Sequence, residues 1–315
     1  MTSSADAEPA TLLDAARSGD RSALARLLSK VERGGAEARS VSEVTYGLVG
    51  RATTVGITGA PGAGKSTLTS SLVREMRSAD VAVGVLAIDP SSPFTGGAIL
   101  GDRVRMDEHV LDDEVFIRSM ATRGHLGGLS VAVPDAARVL DAVGMEWVLI
   151  ETVGVGQVEV EIAGEADTTI VVVNPGWGDT VQANKAGLME IADIFVVNKS
   201  DRAGVDETVS DLERMLSLRS GSQWRPPVIR TIATEGVGSA QLWAAIQQHG
   251  EWSRASGEFE RRRASRREQE LRRIVNSLMV ARVEDLASGE AWRRASDDIA
   301  ALRLDPWAAA NSLLD

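Results

Sequence analysis

The sequence predicts a doubly wound α/β fold, in which a mostly parallel sheet is covered by helices and extended by further helices at both ends. Short β-rich runs alternate with helical stretches through the middle of the chain, as they do in βαβ units. Several runs are continuously apolar, among them residues 170–173 and 195–197. Strands of this kind are buried on both faces, which is typical of a parallel sheet between two layers of helices.

Three zones follow one another along the chain. Residues 1–50 predict a helical extension, with Asp20 as the N-cap of its second helix and a break at Gly34 and Gly35. Residues 51–250 predict the α/β domain, and its expected strands are 53–58, 81–89, 115–119, 147–152, 168–174, 194–198 and 227–232. Residues 251–315 predict a charged helical arm with an apolar face. This arm is either solvated or packed on a second subunit.

Composition restricts the classes of function. The chain has 315 residues, a formal net charge of -11 and no cysteine. The negative charge argues against binding to nucleic acid or anionic membranes, and the lack of cysteine excludes disulfides and thiolate metal sites. The first ten residues are polar and acidic, and no apolar run approaches the ~20 residues of a membrane span. We therefore expect a cytoplasmic protein with no nucleic-acid or membrane partner.

A glycine-rich motif follows the first predicted strand and precedes a helix. It fits G-x-x-x-x-G-K-[ST] and consists of Gly59, Ala60, Pro61, Gly62, Ala63, Gly64, Lys65 and Ser66. Glycines let backbone N–H groups turn toward a polyphosphate, and the amino end of a helix favours an anion. We expect Lys65 to span the β- and γ-phosphates, Ser66 to ligate Mg²⁺ and Thr67 to lie near the α-phosphate.

A second motif indicates which base is bound. Asn198, Lys199 and Asp201 fit N-K-x-D at the end of an apolar strand. A carboxylate at Asp201 can accept hydrogen bonds from N1–H and the amino group of guanine, whereas adenine offers neither donor in that arrangement. The motif favours GTP over ATP. Thr231 and Ala233, around the end of the last strand, are the expected contacts to the guanine oxygen.

Acidic residues at strand ends predict the metal site. Asp89 and Glu151 each end an apolar strand, and Asp102 lies in a glycine-rich stretch. With Ser66 they are the candidate ligands or near neighbours of Mg²⁺. Lys65, Glu151, Asp102 and Gln157 are the candidate catalytic residues. Val155 stands where small GTPases carry the glutamine that orients water, so slow intrinsic hydrolysis is expected.

Together these segments resemble the methylmalonyl-CoA mutase-associated GTPases of the MeaB/ArgK type, which belong to a class of P-loop GTPases that also includes the signal-recognition and nickel-insertion GTPases. The resemblance covers nearly the whole chain. It rests on residues 59–67, 89–92, 96–103, 122–128, 151–157, 175–179, 185–187 and 198–201.

The resemblance implies a function and a set of partners. Members of this family hydrolyse GTP to gate the loading and protection of adenosylcobalamin on an acyl-CoA mutase, and they are homodimers with a C-terminal dimerisation arm. By the same resemblance, Asp89, Asp102 and Glu151 form the acidic metal environment. Gln182 and Lys185 belong to a segment that senses the partner.

Other functions stay open at this point. A nickel-delivery GTPase of the same class usually carries Cys or His ligands, whereas this chain has only His109, His125 and His249, widely spaced. A transport-linked kinase would need a site that activates an acceptor, and the guanine motif argues against ATP. A nucleotide-dependent scaffold with no meaningful hydrolysis is a third alternative.

Overall fold

The computed structural model describes residues 8–89, 106, 108–121, 132–152, 164–176, 185–218 and 223–314. The first part contains α1 (Pro9–Arg17), α2 (Arg21–Arg33), α3 (Gly35–Thr45), β1 (Thr53–Gly59), α4 (Lys65–Ser78), β2 (Val83–Asp89), β3 (Val115–Ala121), α5 (Ala132–Val143) and β4 (Trp147–Thr152). It continues with β5 (Thr168–Val173), α6 (Lys185–Ile191), β6 (Ile194–Asn198), α7 (Val205–Ser217), β7 (Val228–Thr231) and α8 (Ser239–Ala255). The last helices are α9 (Glu258–Ser288), α10 (Glu290–Ala300) and α11 (Pro306–Leu314).

The strands form one parallel sheet in the order β3-β2-β4-β1-β5-β6-β7. This confirms the predicted doubly wound α/β fold, and each of the seven expected strands is present. The largest difference at a strand start is β2, which begins at Val83 rather than at Val81. Because all strands run the same way, their carboxyl ends lie along one edge of the sheet. Predicted site residues lie at the carboxyl ends of five of these strands. Four of them are the last residue of a strand, namely Gly59, Asp89, Asn198 and Thr231, and Glu151 is the second-last residue of β4.

Alternate strand residues face opposite layers of helices, as the pleat of a strand requires. Ile170 and Val172 of β5 pack with the apolar faces of α4 and α8. Val171 and Val173 pack on the other side, with apolar residues of α6 and α7. Every residue of β5 is buried, so the continuous apolar run in the sequence is explained by burial on both faces.

The N-terminal helices are packed into the core of the α/β domain. Leu24, Leu27 and Leu28 of α2 are buried in a cluster that also contains residues of α5, β2 and β4. Asp20 caps α2 as predicted, and its carboxylate accepts hydrogen bonds from the N–H groups of Ser22 (2.8 Å) and Ala23 (3.0 Å). The extension is therefore continuous with the hydrophobic core that supports the sheet.

The chain divides into two compact units, one ending at Phe259 and the other beginning at Glu260. The second unit contains most of α9 together with α10 and α11. The apolar face predicted for this region lies on α9, and its side chains are exposed: Leu271, Ile274, Val275, Leu278 and Met279. Among the described residues, no helix combines the length and apolar character that crossing a bilayer requires.

Candidate functional site

The loop between β1 and α4 requires glycine at two positions because other parts of the site lie against it. Gly59 has φ of 135°, and a Cβ there would lie 2.0 Å from the carbonyl oxygen of Val172. Gly64 has φ of 91°, and a Cβ there would lie 2.4 Å from Nδ2 of Asn198. Larger residues would collide with β5 at the first position and with the guanine motif at the second. The loop can therefore lie close to both segments.

Lys65 begins α4 and folds back over this loop. Its Nζ donates to the carbonyl oxygens of Gly59 (2.7 Å) and Ala60 (3.0 Å), and the residue is buried. A buried ammonium is stable only where oxygen atoms surround it. Because α4 starts at the same place, the positive end of the helix dipole and the lysine charge lie together. Ser66 follows Lys65 inside this first turn, as does the half-buried Thr67. This end of α4 is suited to a polyphosphate.

A buried carboxylate lies beside the first turn of α4. Glu151 of β4 is 4% exposed, and its Oε1 accepts a hydrogen bond of 2.6 Å from the hydroxyl of Ser66. Its Oε2 accepts a second hydrogen bond, of 2.8 Å, from the hydroxyl of Thr69. Ser66 and Glu151 are both candidate metal residues from the sequence, whereas Thr69 was not predicted. The signal was available, since Thr69 lies three residues after Ser66 and so on the same side of the helix.

The Ser66–Glu151 pair can hold a hard divalent cation. Carboxylate and hydroxyl oxygens are the ligands that Mg²⁺ prefers, and a carboxylate this deeply buried calls for nearby positive charge or donors. Asp89 ends β2, next to β4, where Ile88 pairs with Thr152. The backbone of Asp89 therefore lies at the same edge, while its side chain is outside the described part of the structure, as are Asp102 and Gln157.

Asn198 connects the guanine motif to the loop between β1 and α4. Its Nδ2 donates to the carbonyl oxygen of Ala63 at 2.8 Å. Its Oδ1 accepts from the hydroxyl of Thr231 (3.0 Å) and from the N–H of Ala233 (3.1 Å). The side chain is buried, and one amide thus joins three segments from distant parts of the chain. Since the structure directs Thr231 and Ala233 to Asn198, contact of either with a guanine oxygen stays a prediction.

The residues after Asn198 form the rest of the expected base site. Lys199 has φ of 59°, and its Nζ donates to the carbonyl oxygen of Gly62 at 2.7 Å. The N–H of Ser200 donates to the carbonyl oxygen of Thr231 at 3.0 Å. Asp201 follows at an exposed position in the turn before α7. An exposed carboxylate two residues after a lysine can accept hydrogen bonds from the edge of a planar base, while the apolar stem of the lysine can lie along its face.

A short segment around Glu108 and His109 is attached to the next turns of α4. Arg74 donates to both oxygens of Glu108, at 2.8 Å and 2.6 Å. The Ser70 hydroxyl donates to Glu108 Oε1 and lies 3.1 Å from His109 Nε2. The hydrogen bonds from Arg74 and Ser70 hold the pKa of Glu108 below its ordinary value. Helix α4 thus anchors the described segment nearest in sequence to the predicted metal residue Asp102.

Helix α4 carries three consecutive buried hydroxyl residues that contact three different elements. Thr69 donates to Glu151 of β4, as described, and Ser70 contacts Glu108 and His109. Ser71 shares a hydrogen bond of 2.6 Å with the hydroxyl of Ser239, at the start of α8. Successive helix positions point about 100° apart, so each hydroxyl meets a different neighbour. Only the first of the three faces the Ser66–Glu151 pair.

The chain matches one protein family over most of its length. The model of the family described as methylmalonyl Co-A mutase-associated GTPase MeaB matches residues 24–288. A putative GTPase of Pyrococcus abyssi is 48% identical over 307 residues, covering 96% of this chain and 95% of that protein. GTPase ArgK of Escherichia coli is 36% identical over 239 residues, covering 73% of this chain and 72% of that protein.

Similarity in structure extends over the same range. The crystal structure of a protein described as a LAO/AO transport system kinase aligns with a TM-score of 0.71 and 26% sequence identity. The alignment covers 98% of this chain and 97% of that one. Sequence and structure comparisons therefore agree on which group of proteins this chain resembles.

Proposed function

The chain belongs to the family of methylmalonyl-CoA mutase-associated GTPases, MeaB, and from this premise we propose that it gates the loading and protection of adenosylcobalamin on an acyl-CoA mutase. It is a P-loop enzyme that hydrolyses GTP to GDP and phosphate. The proposed place of action is the cytoplasm. The single observation that carries the proposal is the family match over residues 24–288.

The phosphates of GTP would lie at the amino end of α4. Gly59, Gly62 and Gly64 all have positive φ, a conformation that lets a loop turn its backbone N–H groups toward an anion. Lys65 would exchange its two carbonyl partners for phosphate oxygens when the nucleotide enters. Its charge, the helix dipole and the loop amides would then stabilise the negative charge that develops on the transferred phosphoryl group.

Magnesium would be held at the Ser66–Glu151 pair, with Asp89 and Asp102 as further proposed neighbours. When bound, Mg²⁺ neutralises part of the phosphate charge. Glu151 would keep the Ser66 hydroxyl oriented by accepting its hydrogen bond, an arrangement supported by their distance of 2.6 Å. Gln157 is a further proposed catalytic residue. Since Val155 replaces the glutamine of small GTPases, we expect slow turnover until a partner completes the site.

The guanine base would lie over the Lys199 stem with its edge toward Asp201. This placement is supported by Asn198, whose hydrogen bonds with Ala63 and Ala233 connect the base motif to the phosphate loop. The base and the phosphates of one nucleotide would then be bound by residues that are joined to each other by hydrogen bonds. GTP and GDP are therefore the proposed ligands.

The proposed assembly is a homodimer formed through the C-terminal helices. The apolar face of α9 includes Leu271, Ile274, Val275 and Leu278, at positions that share one side of a helix. The side chains of all four are at least 47% exposed within the single chain. A second copy offers the same apolar face, so an isologous contact would cover both. The mutase is proposed as a separate partner, supported by the family description.

A nickel-delivery function is less well supported by the described residues. His249 is fully buried, and its Nδ1 lies 2.8 Å from the hydroxyl of Thr168. His109 is bonded to Ser70 of α4. Both imidazoles thus have structural roles. A kinase function is suggested only by the description of one solved relative, while the Asn198–Asp201 motif favours guanine over adenine.

A pull-down tests the proposed function. The purified protein is immobilised and exposed to a cobalamin-dependent acyl-CoA mutase, once with GDP and once with a non-hydrolysable GTP analogue. We expect capture that differs between the two nucleotides. The matched control is Lys65→Ala, which removes a predicted triphosphate contact and should abolish the difference. Equal capture of the mutase by the wild-type protein with GDP and with the analogue, or no capture with either, would contradict the proposed role.

A further inference from the structure

Thr69 lies outside the residues expected to touch the nucleotide or the metal, yet it contacts the acid of the site directly. Its hydroxyl has two acceptors within reach, Glu151 Oε2 at 2.8 Å and the carbonyl oxygen of Lys65 at 3.0 Å. A hydroxyl carries one proton and can donate it fully to only one of them. The carboxylate is closer and, when ionised, the stronger acceptor. The proton is therefore directed to Glu151.

The two oxygens of Glu151 are thus held by two hydroxyls of one helix. Ser66 donates to Oε1 and Thr69 donates to Oε2. Both donors sit on the rigid backbone of α4, and all three residues are buried. A carboxylate fixed at both oxygens cannot rotate about its terminal bond without losing a hydrogen bond. Removing one donor would take a hydrogen bond away from that oxygen and would weaken the restraint on the orientation of the carboxylate.

We propose that Thr69 is a positioning residue for magnesium binding, which acts by fixing the orientation of the Glu151 carboxylate toward the Ser66 hydroxyl. The proposal rests on the magnesium site described under Proposed function. The alternative is that Thr69 has a structural role only. A threonine inside a helix often donates a hydrogen bond to the backbone carbonyl four residues earlier. The Lys65 carbonyl is such an acceptor. The two roles differ in what they predict for metal affinity.

The test compares Thr69→Val, which keeps the branched shape and removes the hydroxyl, with Thr69→Ser, which keeps the hydroxyl. Ser71→Ala is the matched control because it removes a buried hydroxyl two positions later on the same helix, where the contact is to Ser239 instead of Glu151. Glu151→Gln serves as the reference for loss of the acid. All variants are first checked for an unchanged circular dichroism spectrum.

Two readouts report the metal without requiring turnover. The first is the Mg²⁺ concentration that half-maximally slows release of a fluorescent GDP analogue. The second is Mn²⁺ binding to the GDP complex, followed by electron paramagnetic resonance. Loss of groups that orient a metal ligand typically weakens metal affinity by about 10–100-fold. We expect a shift of about 10-fold or more in Thr69→Val, a return toward wild type in Thr69→Ser, and no shift in Ser71→Ala. GDP affinity measured in EDTA should stay the same in all three variants.

Each result has a distinct meaning. If wild type and Thr69→Val require the same Mg²⁺ concentration while Glu151→Gln requires more, the proposal for Thr69 is wrong and the magnesium site stands. If Ser71→Ala shifts as much as Thr69→Val, the effect is one of helix packing and the proposal is wrong. If GDP release from wild type does not respond to Mg²⁺ at all, the proposed magnesium site fails and the inference fails with it.

Discussion

Asn198 donates a hydrogen bond of 2.8 Å from its side-chain amide to the carbonyl oxygen of Ala63. The bond joins the end of β6 to the loop after β1, across the intervening strand β5. It requires the loop to lie close to the amide, and Gly64 is the residue that makes this possible. A larger residue at Gly64 should therefore disturb both the phosphate loop and the guanine motif.

Substitution of Gly64 should weaken nucleotide binding more than substitution of Gly62. In Gly64→Ala the new Cβ would lie 2.4 Å from Asn198 Nδ2, and the backbone would be strained at φ of 91°. Gly62→Ala is the control, because φ there is 72° but no atom lies within 4 Å of the added Cβ. We expect GDP affinity, measured by calorimetry, to fall about 10-fold further in Gly64→Ala, a difference of about 1.4 kcal/mol. Equal losses of GDP affinity in the two variants would show that backbone strain, and not the contact with Asn198, causes the effect.

The base preference should follow the carboxylate of Asp201. Asp201→Asn replaces an acceptor by a group that also donates, which suits the oxygen that xanthine carries in place of the guanine amino group. We expect GTP affinity to fall on the order of 100-fold or more, while xanthosine triphosphate binds better than to wild type. Asp206→Asn, an exposed acid in the next helix, is the control. Unchanged GTP affinity in Asp201→Asn would refute the proposed base site.

The strands of the sheet, and the edge at which the site residues lie, can be predicted from local sequence patterns. Continuous apolar runs predict buried parallel strands because burial on both faces favours apolar side chains at successive positions, and β5, which contains residues 170–173, is buried at every position. Polar residues at the ends of such strands then meet at one edge, which is why Glu151 and Asn198 could be identified before the structure. These inferences need only the period of a strand and its direction.

Contacts between distant side chains could not be derived in the same way. Thr69, Ser70 and Ser71 form a polar run in a helix, which by pattern alone predicts a solvated face. In the structure all three are buried, because each meets a polar partner from a different element. Which partner arrives depends on the packing of β4 and α8 against α4. The spacing of polar and apolar residues in the sequence does not predict how these elements pack.

The Arg74–Glu108 ion pair should make stability depend on acid pH. The pKa of Glu108 lies below its ordinary value of 4.5, mainly because Arg74 donates to its carboxylate. As the pH falls, Glu108 is therefore protonated at a higher pH in the unfolded chain than in the folded protein. The stabilising effect is thus complete above about pH 4.5 and is lost as pH falls through the lower pKa of the folded state. Arg77 has the same effect on the pKa of Asp112 nearby.

We expect Glu108→Gln to lower the midpoint of thermal unfolding near pH 7 and to have less effect near pH 3. The pair is about half exposed, so solvent screening should limit the difference to about 1–3 °C. Glu75→Gln makes the same change on α4, next to Arg74 in the chain, and is the control. Thermal unfolding followed by circular dichroism at several pH values gives the comparison. A loss in Glu108→Gln that stays constant from pH 7 to pH 3 would contradict the role given to the pair.

The proposed dimer should depend on the apolar face of α9. Ile274 lies near the centre of that face, with Leu271 and Leu278 one turn away on either side. A charge placed there would be buried without a partner in an isologous contact, once in each subunit. We expect Ile274→Glu to give a monomer in light scattering, with GDP affinity unchanged because the nucleotide site lies in the other compact unit.

Asn276→Glu is the matched control for Ile274→Glu. Its position is roughly 140° around the helix from Leu271, on the side away from the apolar face. It introduces the same charge, so it reports any general effect of acid residues on α9. A dimer that survives Ile274→Glu would exclude this face as the contact, and loss of the dimer in both variants would point to the charge of the helix. Only selective loss at Ile274 supports an apolar contact, because desolvation penalises a charge at the buried centre far more than one left in water.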